Sequence, residues 1–292
     1  MGDFIQIIAY GVITGSVYGL VAMGLGLMMG VMKFLNIAHG SFIVLSGYIA
    51  FWLSQLWGID PFLSIPLVII AMFLVGLLLY KLALSPLLKL PNVGARMDLS
   101  MLITFGLIYI MDNAMAMLWT PNIRSAVTSY SGESINLLGA RFSIIGLCSL
   151  GIAVLTAVAL YLLLSKTYFG KHVRAATQDA QAASLCGVNV HRTYLISCGI
   201  AIALAGVAGV IIVTSYSISP TGGLSWLLIA FVVMILAGEG NIYGILPAGI
   251  IVGLVESVSV LTVGIAFRQA AALIIFILIL MFRPQGLFSK GE

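Results

Sequence analysis

The chain has 292 residues, of which 62% are hydrophobic and only 8% charged, with a formal net charge of +4. A water-soluble globular domain carries roughly a quarter of its residues as charges, so that class is excluded. Apolar stretches recur along the whole chain at the length of about 20 residues that crosses a hydrocarbon core. They are continuous and lack a period of two, which implies helices and not a barrel. The expected fold is all-α, a polytopic transmembrane helical bundle of eight or nine spans, read as a single domain over residues 1–292.

The first stretch begins Met-Gly-Asp without a basic segment, and its apolar run is too long for a signal core, so it is expected to stay as a span. Predicted spans are 4–31, 41–57, 62–84, 99–119, 143–165, 193–214, 224–237, 244–264 and 267–282. Segments 41–57 and 224–237 are short and flanked by Gly or Pro, as in transporters that expose helix ends inside the membrane. One re-entrant segment plus eight spans is therefore the alternative to nine. With the N-terminus outside, ten of the 13 basic residues fall on the inward side, and only Arg124, Arg141 and Arg268 face out. The positive-inside rule then sets the N-terminus outside and the C-terminus in the cytoplasm.

The break after the first span reads VMKFLNIAHGSFIVLSGY, residues 31–48. Asn36 is expected to cap a helix starting near Ile37, with Gly40 allowing a close approach and His39 and Ser41 offering donors. Two readings stay open. The set binds a ligand carboxylate at the helix N-terminus, or it stabilises a turn, with His39 bonding a neighbouring carbonyl. Glu256 sits inside an apolar span, where a lone carboxylate needs a partner or a wet cavity. Thr221, in the turn SPTGG, is placed by the outward mouth. These six residues, Asn36, His39, Gly40, Ser41, Thr221 and Glu256, are the candidate substrate pathway.

Small residues recur four apart, at Gly11, Gly15 and Gly19, at Ala22, Gly26 and Gly30, and at Ala201, Ala205 and Gly209. Such spacing lets a second backbone approach, either within the chain or across a subunit interface. Cys148, Cys186 and Cys198 have no ligand spacing, so no metal site is expected and they read as reduced packing residues.

Outside the spans, residues 166–192 form a polar inward loop. Its stretch GKHVRAATQDAQAASLCGVN predicts a short amphipathic helix across the inward mouth, ending at Gly187 in a left-handed cap. On one helix, Arg174, Gln178 and Gln181 share a side, and Ala175, Ala182 and Ala183 are small positions open to a partner. A solvated or membrane-surface helix is the plainer reading of the same residues.

This pattern, from Gly170 through Arg174-Ala175, Asp179 and Ala182-Ala183 to Gly187, resembles the coupling loop of bacterial ABC-importer permeases. Together with GLGLMMGVMKFLNIAHGSFIVLSGY, LAGVAGVI and the terminal FRPQGLF, it resembles the branched-chain amino acid ABC importer permease family across essentially the whole chain. The short chain is similar to the smaller of that family's paired permeases. One departure is the Gly-rich turn at 236–244, which reads LAGEGNIYG with Glu239.

The resemblance implies a permease in the bacterial inner (cytoplasmic) membrane that translocates branched-chain amino acids or a related small amide or urea. Implied partners are a second homologous permease, two cytoplasmic ATPase subunits, a periplasmic or extracellular substrate-binding protein and membrane lipid, with no nucleic acid. No cofactor is expected in this chain, because ATP and magnesium would be bound by the ATPase subunits. The residues agree, since Gly170-Lys171-His172 lacks the rest of a phosphate-binding loop and no nucleophile-base set is spaced on facing helices. No enzymatic activity of its own is expected. The alternative is a stand-alone secondary transporter or channel for a small polar solute, using Glu256 as a proton or cation site.

Overall fold

A chain this apolar has to satisfy its backbone internally, and the computed structural model shows how. It describes residues 2–90, 92–137, 140–238, 240–262, 264 and 267–288. Among the described residues, seven helical stretches are long and apolar enough to cross a membrane. In chain order they are built on α1 (Gly2–Met32), α2 (His39–Trp57), α3 (Ile65–Leu79, whose span runs on to Lys89), α4 (Val93–Trp119), α5 (Ile144–Lys166), α8 (Val190–Ser215) and α10 (Ile245–Thr262, whose span starts at Ile242). Two shorter apolar helices, α9 (Gly223–Ala237) and α11 (Arg268–Phe282), bring the apolar segments to the nine that the sequence predicts. The chain is a multi-pass helical membrane protein.

Two boundaries differ from expectation. Helix α4 starts six residues before the predicted 99, because the Asn92 side chain accepts from the Gly94 N–H at 2.9 Å and caps it. Helix α3 ends sooner but continues as a wide turn, Tyr80–Leu84, and a tight one, Ser85–Lys89, that begins around Pro86. The predicted loop 120–142 also contains a two-stranded hairpin, β1 (Ser134–Leu137) with β2 (Ala140–Ser143). It sits beside the N-terminal ends of α1 and α5, and we call this side the hairpin face. There Tyr130 donates to Asp60 Oδ2 at 2.6 Å. Burial and that bond hold the phenol above its usual range, so it remains a donor. Arg124 lies over the rings of Phe51 and Trp52 and pairs with Ile218 through the backbone.

The opposite, basic face gathers the helix ends bearing Lys33, Lys81, Lys89, Arg96, Lys166, Lys171, Arg174, Arg192 and Arg283. Lys290 lies outside the described residues.

At the centre, α1 and α8 are buried on nearly all sides. The glycines of α1 meet those of α10. A Cβ on Gly15 would lie 2.5 Å from Ile250 Cα and 2.6 Å from Gly249 O, and Gly11 and Gly19 face Leu254 and Leu246. The small face of α8 likewise touches α1 and α2: Ser46 Oγ donates to Ala205 O at 3.2 Å, and Gly209 abuts Ser46. Gly26 and Gly30 of the remaining set meet Ile245 and Gly240, so all three spacings are used inside the chain, which decides between the two readings of these residues. Of the cysteines, Cys198 is buried in packing, whereas Cys148 and Cys186 are exposed.

Gly15→Leu forces α1 and α10 apart and costs about 1–3 kcal/mol or more by overpacking. The expected result is a lowered melting temperature in detergent, or loss of the folded peak in size exclusion. Gly106→Leu, which meets nothing within 4 Å, is expected to leave the peak unchanged.

Candidate functional site

Helix α1 ends at the basic face, where Lys33 adopts φ +55°. From there Phe34 to Ala38 run back into the bundle without helical bonds, and all but Ile37 are buried. Non-helical backbone at membrane depth must find partners in protein. Helix α4 supplies them: the Leu35 N–H donates to Ser100 Oγ and the Ile37 N–H to Thr104 Oγ1, both at 3.1 Å. One more step along that face, Ser41 Oγ donates to Asp112 Oδ1 at 2.9 Å. Ser100, Thr104 and Asp112 form one stripe spanning twelve residues of α4, on the order of 18 Å. Helix α2 therefore starts deep in the bundle.

The first turn of α2 meets the first turn of α9 there. Gly40 lies directly against the Gly223 carbonyl, and only the absence of both Cβ atoms permits it. His39 is fully buried, with Nε2 3.0 Å from Val21 O. This is the carbonyl contact of the structural reading. Asn36 does not cap α2, contrary to expectation: the cap position is Ala38, and the Asn36 amide donates to Met28 Sδ. The helix begins two residues later than expected, because the Leu35 and Ile37 N–H groups are bonded to α4 side chains and the chain then turns at residues 37–38, where His39 N–H donates to Asn36 O at 3.2 Å. Among the described residues, Asn36 Oδ1 and His39 Nδ1 are buried without a partner. Thr221 is exposed in the loop between α8 and α9.

Glu256 has the partner that its burial demands. Its Oε2 accepts from Tyr18 Oη and from Arg268 Nε, both at 2.8 Å, and Arg268 also donates to Tyr18 Oη at 3.0 Å. Tyr18 and Tyr216 each pack edge-on against Trp226. Sequence reading singled out Glu256 but not Tyr18 or Arg268, because these three residues are joined only by the fold. Ser100 and Thr104 carried a signal that went unread, a polar stripe at helical spacing that leads to Asp112 on an apolar span.

On the basic face the polar loop forms two helices, not one, α6 (Tyr168–Gln178) and α7 (Ala180–Leu185). Asp179 is the reason: Oδ1 accepts from the N–H groups of Gln181 and Ala182 at 2.8 and 3.0 Å and starts α7. Gln181 therefore leaves the helix that carries Arg174 and Gln178. Gly187 takes the left-handed cap as expected, at φ +83°, and Val188 N–H bonds Ala183 O at 3.0 Å. Gly170 lets α6 fold tightly onto the end of α5, where the Arg174 guanidinium bonds Leu164 O. Ala175 is half-buried and Ala182 exposed. Ala183 is buried within the chain at 6% exposure and so is not open to a partner, whereas Leu185 beside it is 89% exposed.

The Gly-rich turn after α9 and the terminal FRPQGLF segment interlock at this face. Leu287 N–H donates to Leu236 O at 2.8 Å, Asn241 Nδ2 donates to Phe288 O at 2.6 Å, and Gly286 sits against Gly238. Glu239 lies outside the described residues.

A polytopic bundle with broken helices meeting at its centre, and a short helix pair on its basic face, has the build of a membrane transport component. Residues 7–282 match the family described as "Branched-chain amino acid transport system / permease component", and the chain belongs to that family. A probable branched-chain amino acid transport permease protein LivH from Methanocaldococcus jannaschii is 31% identical, covering 94% of this chain and 90% of its own. The permease protein BraD of the high-affinity branched-chain amino acid transport system in Pseudomonas aeruginosa is 25% identical over 99% and 97%. LivH of Escherichia coli K12, named for the same kind of system, is 25% identical over 99% and 96%. No solved structure matches the chain.

Removing Arg268 strands the Glu256 carboxylate, whose side chain is 2% exposed. Arg268→Ala is expected to cost roughly 3 kcal/mol, the low end for a broken buried pair because Arg268 is itself 34% exposed. Glu256→Leu with Arg268→Leu is expected to recover most of that loss. Equal thermal shifts in the single and double variants would contradict the pairing.

Proposed function

We propose that the chain is the membrane-spanning permease subunit of a binding-protein-dependent ABC importer for branched-chain amino acids. The observation that carries this is the near-full-length family match, in which the helix pair α6–α7 falls on the residues that resemble a coupling loop. ATP and magnesium are bound by two separate cytoplasmic ATPase subunits, and the permease has no catalytic role of its own. A second homologous permease and an external binding protein complete the assembly. It sits in the bacterial inner membrane with its N-terminus outside and its basic face in the cytoplasm, in keeping with the positive-inside bias.

In this reading the ATPase docks on α6–α7. The anchored part is α6, bonded to α5 through Arg174, and the offered part is α7 with Ala182 and Leu185. An apolar side chain that protrudes from a polar helix is what a partner's pocket takes up. ATP-driven movement of that contact reaches the centre through α5 and α8, which flank the helix pair. The pathway opens where the starts of α2 and α9 separate, parting Gly40 from Gly223. His39 Nδ1 and Asn36 Oδ1 are then met by water or substrate, Ser41 and Asp112 lie beside them, and Thr221 lines the outer approach. Buried polar atoms without partners are rare enough to need such an explanation. A stand-alone carrier driven by ions has less support, because its carboxylate, Glu256, is already neutralised by Arg268.

Leu185→Glu tests the docking surface without touching the core. ATP-dependent uptake of radiolabelled leucine is expected to fall about tenfold or more, as when an interface anchor is lost, while membrane insertion and melting temperature stay unchanged. Unchanged uptake with normal recovery of ATPase subunits would overturn the assignment of α7.

A further inference from the structure

Helix α4 is the least buried of the seven spanning stretches. One side of it is bonded inward, through Ser100 and Thr104 to the junction backbone and through Asp112 to Ser41. The other side carries Leu99, Ile103, Gly106, Ile110, Asn113 and Met117, all exposed. They follow one another at steps of four, three, four, three and four residues, the repeat of a seam between two helices lying side by side. At about 100° per residue the six fall within roughly 40° of one line, and the three bonded residues lie about 100° or more from it.

Gly106 and Asn113 distinguish this face from one that lipid alone would cover. Helix α4 offers about 40 Å of length to a hydrocarbon core of about 30 Å, so Gly106, at the midpoint of Val93–Trp119, lies near the membrane centre. Asn113 lies about 10 Å from it toward the hairpin face, still within the hydrocarbon. A Cβ on Gly106 would meet nothing within 4 Å. No contact inside the chain therefore calls for a glycine there, and glycine weakens a helix interior. Asn113 Nδ2 donates to Tyr109 O at 2.7 Å in its own helix, and among the described residues nothing donates to its Oδ1. Facing acyl chains, that oxygen goes unmet. A second helix resolves both, because it can come close at a glycine and can bond an amide.

We propose that this seam is where the second permease of the importer packs, with that chain's corresponding helix parallel to α4. That the neighbour is a homologous permease rests on the reading above, while the place of contact rests on the seam. Homologous chains inserted alike, and related by a two-fold axis along the membrane normal, bring equivalent helices together at equal depth. Gly106 then meets backbone, and the Asn113 amide, both donor and acceptor, meets a polar side chain at its own level. The ATPase and the external binding protein are water-soluble and do not reach this depth. The arrangement also has a consequence for transport. One helix thickness, about 10 Å, separates the seam from the junction, so a shift between the two permeases is felt at Leu35, Ile37 and Ser41.

The test places the photo-reactive amino acid p-benzoylphenylalanine at position 110 of the full importer in native membrane vesicles, with ATP-dependent leucine uptake measured alongside. Ile110 is 67% exposed, so the change leaves the core alone. Irradiation is expected to join the chain to the second permease, at the corresponding helix by mass spectrometry. The same group in place of Val158, exposed on α5, is expected to give lipid adducts. Gly106→Leu, expected to leave the single chain folded, should lower recovery of the second permease with the tagged chain in mild detergent about tenfold, because it holds the backbones apart. Asn113→Leu should lower it about threefold. Were lipid the occupant, Asn113→Leu would only remove an unmet amide and recovery would not fall.

Lipid adducts at position 110, cross-links only to a second copy of this chain, or unchanged recovery in both variants would each overturn the seam. Cross-links to a homologous membrane chain in vesicles without ATP-dependent uptake would keep the seam and overturn the importer reading. Normal uptake with lipid adducts at position 110 would do the reverse.

Discussion

Everything in this bundle depends on how five residues of non-helical backbone, Phe34 to Ala38, survive at membrane depth. In hydrocarbon an unmet N–H or C=O costs several kcal/mol, so an extended segment there must be bonded by protein. Ser100 and Thr104 do this from α4, replacing the helical partners that Leu35 and Ile37 forgo. Because that segment is held out of helical form, α2 begins in the interior and its first turn can meet α9 at Gly40 and Gly223. The polar residues of the junction then have a reason to be there, since the junction lies inside the protein and not at a surface turn.

The same constraint explains where small residues and polar pairs fall. Helices without a hydrophobic drive between them associate by close packing, and α1 spends its glycines on α10 and α8 spends its own on α1 and α2. Glu256 is tolerated because Tyr18 and Arg268 arrive from two other helices at one oxygen. The proposed coupling surface follows the opposite logic. Asp179 interrupts a continuous helix so that α6 stays anchored to the bundle while α7 projects Leu185 into solvent.

How much of this was legible in the sequence varies with the physics. The apolar helices were, because span length and hydropathy are local quantities, and so was the left-handed cap at Gly187. The breaks before α2 and α9 were recognisable from their Gly and Pro flanks, although α2 proves long enough to cross a membrane and only α9 is short. The role of Asn36 was not, because a cap is decided by where the backbone after it turns helical, and here α4 takes the Ile37 N–H and the helix starts only after a turn at residues 37–38. The split at Asp179 was hidden for a related reason: Ala-rich sequence on both sides favours one helix, and only the cap geometry shows two. Arg268 as the partner of Glu256 required the fold, since twelve positions and a helix end separate them. The resemblance to an importer permease supplied the rest, and the family match agrees with it.

The central claim is that the junction backbone is hydrogen-bonded although it is not helical. Hydrogen–deuterium exchange on the chain in lipid nanodiscs, resolved to the amides of Leu35 and Ile37, tests it most directly. The account predicts exchange as slow there as in the adjoining turns of α1 and α2, and faster exchange confined to this segment when Ser100 and Thr104 are both replaced by alanine. Fast exchange at Leu35 and Ile37 in the unaltered chain, at the rate of an open loop, would contradict it.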